Sequence, residues 1–459
     1  MTGPDVIQFV DSIAASPTVR LDLNDDTRWW CREFQALPPR LRYSVSNNAM
    51  SDGAYVSSSA YDGRTLTLTL DLVASSQDIN AEELQKLARE LDRDTNLIRY
   101  QPNGATKPVF FKTSRADFAD LFDQQAALAV RRLTIDIPAE PFALGLRESI
   151  SVGTVSNDPA AANGCYVDVT GVIGDVAAEP VITFGTDTAA GETLILATLP
   201  EPSASLPVAV QAESMTLGTD TTNPGGAADA AMSGSGTTNY RRTSFATSAS
   251  LSTRLSWSSS TLAERDALTG TWRVLAAVRL SNNTTTVQIQ PAWAGDSLAA
   301  YHYGGLVTPV KTANRQLIDL GLVTFGTISD LPGGVNLSLS AQRDSGTGTL
   351  DWDFILFVPA VDSQARMSGD TFNTVDVPAA NAYATKPTAA DRWTASGYTA
   401  GTAQVTGGFP RLRPNVTTRL YWTTYAADPV LFGAYDKTKT ATVTVNYQPR
   451  YQFVRPVAS

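Results

Sequence analysis

Between Thr65 and Leu72 every second residue is a leucine: Leu66, Leu68, Leu70 and Leu72 alternate with Thr65, Thr67, Thr69 and Asp71. A period of two puts all four leucines on one face and predicts a half-buried strand. From Asn80 the period changes. Leu84, Leu87, Ala88 and Leu91 fall at i, i+3, i+4 and i+7, the apolar stripe of a helix over 81–91. Asn80 stands at the N-cap, Glu83 at the capping-box position, and Glu82 and Lys86 form an outward i,i+4 pair. A second, shorter helix is predicted from Ser114, with Phe118, Leu121 and Phe122 inward, and then a strand from Val130 to Ile137 ending at Pro138. Strands around a packed helix make the first 150 residues an α+β unit, a β-barrel or sheet with a helix against it.

From about residue 152 the pattern is nearly all β. Short apolar or alternating runs occur at 165–169, 181–184, 193–197, 271–280, 285–290, 317–325, 335–340, 350–358, 420–424 and 440–447. Clusters of Gly, Pro, Asn and Asp separate them, the spacing of sandwiches and jelly rolls. Residues 217–238 are rich in Gly, Thr, Ala and Asp and read as a long loop or exposed segment. Pro200, Pro202 and Pro207 mark one boundary and residues 362–370 another. No internal repeat of fixed period appears. The fold class is mainly β with an N-terminal α+β domain.

Composition sharpens this. Hydrophobic residues are 43% of the chain, enough for real cores, while charged residues are only 17%, below the usual quarter or so. The polar surface is therefore largely neutral. Lys and Arg number 35 against 45 Asp and Glu, a net charge of −10. A surface this acidic does not draw in nucleic acid or anionic lipid by its bulk field. No run approaches the roughly 20 apolar residues of a membrane helix. The opening residues lack a basic region and carry Asp5 and Asp11, so no signal peptide is expected.

Two cysteines, Cys31 and Cys165, are too few for a disulfide framework or a cysteine zinc site, and buried thiols are expected. The single histidine, His302, would have to serve any Ser-His-Asp triad or histidine metal site. No Gly-x-Ser-x-Gly elbow lies near it, and no dinucleotide or Walker loop is present, so a catalytic His302 is not expected.

Further along the first domain come Tyr100-Gln101-Pro102-Asn103-Gly104-Ala105, Pro108-Val109-Phe110-Phe111, and a strand ending in Pro141-Phe142-Ala143-Leu144-Gly145. In this order, with the alternating strand and the helix before them, they resemble the N-terminal domain of distal tail (Dit) proteins. These and related minor tail proteins belong to long-tailed phages, the siphoviruses, and the resemblance covers roughly residues 20–150. Gly171-Val172-Ile173-Gly174-Asp175 with Glu179-Pro180 is similar to the opening of that family's second, galectin-like sandwich. Gly407-Gly408-Phe409-Pro410-Arg411-Leu412-Arg413-Pro414-Asn415 is similar to a motif near its end. The family often has Pro-Gly-x-Asn there, where this chain has Pro414-Asn415-Val416, a departure that bears on the turn. The closing strand 443–447 with Pro449-Arg450-Tyr451 also fits.

Between these halves, Val208-Ala209-Val210-Gln211-Ala212-Glu213, the run 271–279 and the run 350–357 resemble galactose-binding-like jelly rolls, including carbohydrate-binding modules. The layout implied is a ring-forming tail domain over 1–150, a split galectin-like sandwich over 151–204 plus 363–459, and an inserted jelly roll over 205–362. Such an insertion is physically cheap, because loop-closure entropy grows slowly with length.

The resemblance implies a structural role in the virion, at the distal end of the tail. The family forms a ring, typically a homo-hexamer, that joins the tail tube to the baseplate hub and leaves a channel for DNA as passing cargo. Implied partners are further copies of the chain, the tail tube protein, a tail hub or tail-associated lysin-type protein, and the tape measure protein. No membrane insertion is expected.

The jelly roll implies contact with a host cell-wall glycan. Its candidate carbohydrate contacts are Trp257, Trp293, Tyr301 and Tyr303, while Trp272 and Trp352 lie in strand patterns and read as core. In related jelly rolls a Glu after the opening Ala and an Asp in the last strand supply calcium ligands, which here are Glu213 and Asp353. No cofactor is required; a structural calcium is the one candidate.

A non-enzymatic carbohydrate-binding protein of the tail tip is the second reading. A polysaccharide-cleaving enzyme is the third: Asp351 and Asp353 share a strand face about 6.5–7 Å apart at their Cα atoms, within the span of a glycosidase pair. No other motif supports hydrolysis, and an enzyme is not expected.

Overall fold

The alternating leucines set the first unit. In a computed structural model of the chain they lie in the strand Arg64–Val73, and all four are fully buried. That strand pairs with Trp29–Ala36 on one side and with Val130–Ala139 on the other, where Ile137, Ile135 and Leu133 stand opposite Leu66, Leu68 and Leu70. The structure describes residues 5–47, 54–116, 130–186, 192–224, 229–233, 239–245, 250–259, 261–294, 301–326, 335–360, 365–368, 374–377, 389–394, 397–406, 411–426 and 432–453. The protein is mainly β, in two compact units. The first comprises Met1–Glu148, Ile173–Ala178 and Tyr447–Ser459; the second Ser149–Val172 and Glu179–Asn446.

In the first unit the strands follow the order Val19–Asp22, Val6–Val10, Thr95–Gln101, Val109–Ser114, Val130–Ala139, Arg64–Val73 and Trp29–Ala36. The two end strands do not pair with each other, so the sheet is open rather than a closed barrel. The helix Gln77–Leu91 packs Leu84, Leu87 and Leu91 onto the leucine face.

The helix begins a turn earlier than its periodicity predicts. Ser76, in extended conformation, accepts a hydrogen bond from the Ile79 N–H and is the N-cap; Asn80 is buried inside the helix. Freed from capping, Glu83 turns inward to Arg28, Lys86 and the Trp29 Nε1–H (3.2 Å), so Lys86 pairs with Glu83 rather than Glu82. Ser114 ends a strand instead of opening a helix, and Phe118, Leu121 and Phe122 lie outside the described residues.

The end of the chain completes this unit. Arg450–Tyr451 pairs with Ala143–Leu144, and the buried Arg64 guanidinium donates to the carbonyls of Pro141 and Gln452 (2.7 and 3.1 Å).

The second unit is layered β-sheets of five, seven and ten strands. Strands from either side of residues 205–362 meet in the ten-stranded sheet: Val181–Thr186 pairs with Thr440–Tyr447, and Glu192–Pro200 with Thr418–Ala426. Residues 205–362 supply the other two sheets, except that Phe432–Ala434 adds to the edge strand Arg315–Phe325 of the seven-stranded one.

The seven-stranded sheet is buried on both faces. Along Gly270–Leu280, Val274, Ala276 and Val278 enter a core shared with the five-stranded sheet, while Leu275 and Ala277 enter a second core with Ile195, Tyr421 and Tyr425 of the ten-stranded sheet. Such a middle strand must be apolar on both sides. That is why all ten residues of Leu350–Pro359 are buried and why the segment is continuously apolar from Phe354 onward, after Asp351 and Asp353.

Asn415 meets its turn with φ of +58°, the left-handed region, and its N–H donates to the Val172 carbonyl at 3.0 Å. Asn reaches this region more readily than most non-glycine residues, so it can take a turn position that would otherwise favour glycine. Gly407–Pro410 lies outside the described residues. Among the described residues no helix is long and apolar enough to cross a membrane.

Candidate glycan-binding face and the buried carboxylates

The five-stranded sheet carries all four candidate aromatics. Trp257, Leu337, Trp293 and His302 are consecutive cross-strand neighbours, one from each of four strands. Residues directly opposite share a face, and Leu337 is fully buried in the core. Trp257 and Trp293 of this row therefore turn toward the core, partly buried, while His302 on the edge strand stays exposed. Trp257 packs against the core and lies 5.7 Å from the Phe357 ring, and Trp293 stacks on His302 at 5.8 Å.

Tyr301 and Tyr303 alternate with His302 along the edge strand Tyr301–Tyr303 and so belong to the opposite, outer face. They are 45% and 68% exposed, and their cross-strand neighbours are Ala294 and Ala292. The structure thus brings the two tyrosines together and sets them apart from the two tryptophans. Trp272 and Trp352 lie in the core at 3% and 2% exposure.

The outer face continues from the tyrosines as Asn336, Ser338, Ser340 and Gln342 on one strand and Gln288 and Gln290 on the next, all partly exposed. Gln342 Nε2 donates to Gln288 Oε1 at 2.6 Å, and Gln290 Nε2 to the Gly304 carbonyl at 2.8 Å. These bonds hold the amides in place. Sequence reasoning passed over these residues because Ser and Gln on a wet strand face look like solubilising positions. The signal that could have found them is the strict alternation Gln288-Ile289-Gln290 and Leu337-Ser338-Leu339-Ser340 beside two tyrosines.

Asp353 sits where Leu350–Pro359 carries a β-bulge: Ala277 faces Phe354 and Val278 faces Trp352, leaving Asp353 as the extra residue. The bulge aims it between layers, where its carboxylate pairs with Arg315 and accepts from the Ser233 N–H at 2.8 Å. Burial nevertheless raises its pKa to about 7.

Glu213, in the turn Ala212–Ser214, is close enough for its charge to act on Asp353, and its buried Oε2 has no hydrogen-bond partner among the described residues. Burial raises its pKa, against the charge of Arg241. Calcium takes six to eight oxygens. Here one of two carboxylates is held by a guanidinium, and among the described residues no three His, Cys, Asp or Glu side chains converge. This donor set falls short of a calcium cage.

The hydrolytic pair is placed just as firmly. Asp351 is bound by Arg242 (2.7 Å) and Arg279 (2.9 Å), and both Asp351 and Asp353 are buried. Neither carboxylate is open to solvent. Cys31 is half-buried and Cys165 buried; both are free thiols, and burial pushes them up to about 11 and about 12.

No family model matches the chain, and no curated protein does. Among solved structures it is similar to the Dit protein of phage SPP1, described as a paradigm of the hub adsorption apparatus in phages infecting Gram-positive bacteria. The TM-score is 0.25 at 10% identity, covering 77% of this chain and 99% of that one. The baseplate of phage p2 in its activated conformation with strontium gives a TM-score of 0.23 at 6% identity, covering 75% and 99%. With calcium it gives 0.23 at 6%, covering 74% and 98%. Likenesses this remote carry no argument about function by themselves.

Proposed function

We propose that the chain is a structural tail-tip protein of a long-tailed phage. Its first unit forms a ring, six-fold as in the family it resembles, joining the tail tube to the baseplate hub around a channel for DNA. The observation that carries this reading is the order of the resembling motifs in residues 20–150, which fold as one sheet-and-helix unit. The alternating strand, the helix, the Thr95–Ser114 hairpin and the Ala143–Leu144 bridge to the chain's last strand are all parts of it.

The net charge of −10 agrees with a conduit that must not hold DNA, since phosphate contacts need Lys and Arg clusters. An open sheet with unpaired edges is also suited to pairing between copies. Further partners in this reading are the tail tube, hub and tape measure proteins.

The second unit contributes binding rather than catalysis: a host-surface glycan on the tyrosine-bearing face. The burial and ion pairing of Asp351 and Asp353 favour binding over hydrolysis. The mass of the purified protein in solution, alone and with the tail tube protein, tests the assembly. A ring-former gives a closed oligomer under at least one of these conditions. A monomer under both contradicts the ring and favours a free-standing carbohydrate-binding protein.

A further inference from the structure

The geometry points to an uncharged oligosaccharide as the occupant of the outer face of the five-stranded sheet, held by Tyr301 and Tyr303 at the edge and by Gln288, Gln290, Ser338 and Gln342 beside them. This rests on the glycan-binding part of the reading above and names its substrate class and the side of the sheet that binds.

Three observations carry it. The first is chemical. Two neighbouring tyrosines, 45% and 68% exposed, stand over alanines on a short edge strand, where large aromatic surface is costly to leave wet. Sugar C–H faces stack on such rings, and sugar hydroxyls need both donors and acceptors. The face offers both: the hydroxyl of Ser338, and the Oε1 atoms of Gln290 and Gln342, which receive no protein donor among the described residues.

The second is order. The Gln342–Gln288 and Gln290–Gly304 bonds fix the amides before a ligand arrives, so less rotamer freedom is lost on binding.

The third is charge. Among the described residues the face from Tyr301 to Gln288 carries Tyr, Asn, Ser, Ala and Gln, with Thr253 opposite Ser340; Asp344 lies beyond it, accepting from Gln342 at 3.2 Å. No cation is present to neutralise a phosphate or uronate, and the field of a chain at −10 repels polyanions. Trp257 and Trp293, turned toward the core, are support for this platform and not its contact surface.

Native electrophoresis of the full chain through gels containing dextran, galactomannan or hydroxyethyl cellulose, and through gels containing polygalacturonate or hyaluronate, tests this. Retardation is expected in at least one neutral gel and in neither anionic gel. The double variant Tyr301→Ala/Tyr303→Ala should weaken the interaction by about tenfold or more, with its melting temperature unchanged because both side chains are exposed. Gln342→Glu, which adds a charge without opening a cavity, should weaken it as well.

Retardation only in the anionic gels, retardation equal in wild type and double variant, or none in any neutral gel overturns the inference. So does a concentration-dependent dimer that the double variant abolishes, which would make the edge strand a contact between copies. Labelling of the virion tail by antibody is a separate reading that these variants leave untouched, so failure here and failure of the tail-tip role are told apart.

Discussion

Arg315 and Asp353 form an ion pair that water barely reaches: their side chains are 4% and 0% exposed. The guanidinium also lies 4.6 Å over the Tyr435 ring and 5.4 Å over Phe354, and donates to the Ala231 carbonyl at 2.8 Å. Arg315 and Asp353 come from strands of the seven-stranded sheet, while Tyr435 follows the strand Phe432–Ala434 that joins that sheet from more than 100 residues further along the chain than Arg315. Removing one partner leaves a charge buried alone. Arg315→Met should cost roughly 3–5 kcal/mol, and Arg315→Met/Asp353→Leu much less. Urea unfolding of the three proteins checks this.

The pH dependence of Asp353 runs opposite to that of most carboxylates. Its folded pKa stands up at about 7, against about 3.9 when unfolded. The folded protein therefore holds the proton more tightly. The contribution is complete below about pH 4 and is lost as pH rises through about 7. Asp71, bonded to Arg132 and Arg32, is held down at about 2. Its contribution is present above about pH 4 and lost as pH falls through about 2. Subtracting Asp353→Asn from wild-type stability across pH 4–8 should give a declining curve, and subtracting Asp71→Asn across pH 1.5–5 a rising one.

Chelation should change nothing. With Arg315 on Asp353, no divalent cation is needed to balance that carboxylate. The melting temperature should be the same in EDTA and in millimolar calcium; a fall in EDTA that calcium reverses would return Glu213 and Asp353 to the role of metal ligands.

The helix start can be tested at one atom. Ser76→Ala removes the acceptor of the Ile79 N–H and should cost about 1 kcal/mol, whereas Ser76→Asp should cost little. If Asn80 were the cap, Asn80→Ser would be neutral; buried inside the helix as it is, that change should destabilise.

Asn415 offers a backbone test. At φ of +58°, Asn415→Gly should be neutral or slightly stabilising, and Asn415→Val should cost about 1–2 kcal/mol.

Much of the fold is legible in local pattern. The leucine alternation from Thr65, the helix stripe ending at Leu91 and the continuous apolar run from Phe354 each carry the period of their environment. What could not be read depends on partners distant in sequence. Nothing around Asp353 announces the bulge, because the bulge exists only against Ala277 and Val278. The aromatics of the candidate site could be collected from composition, but their division into an inner and an outer pair follows from register. Trp293 stands opposite His302, so Tyr301 and Tyr303 face the other way. The helix start is ambiguous in the sequence because Ser76 and Asn80 are both good caps four residues apart, and the inward pull of Arg28 and Trp29 on Glu83 selects the earlier one.

The central claim, a ring at the tail tip, is tested most directly by electron microscopy of virions and of the purified protein, with gold-labelled antibody against residues 205–362. A ring-forming tail-tip protein should give a six-fold ring in projections of the protein and label clustered around the distal end of the tail. Monomers in projection together with unlabelled tails would contradict it.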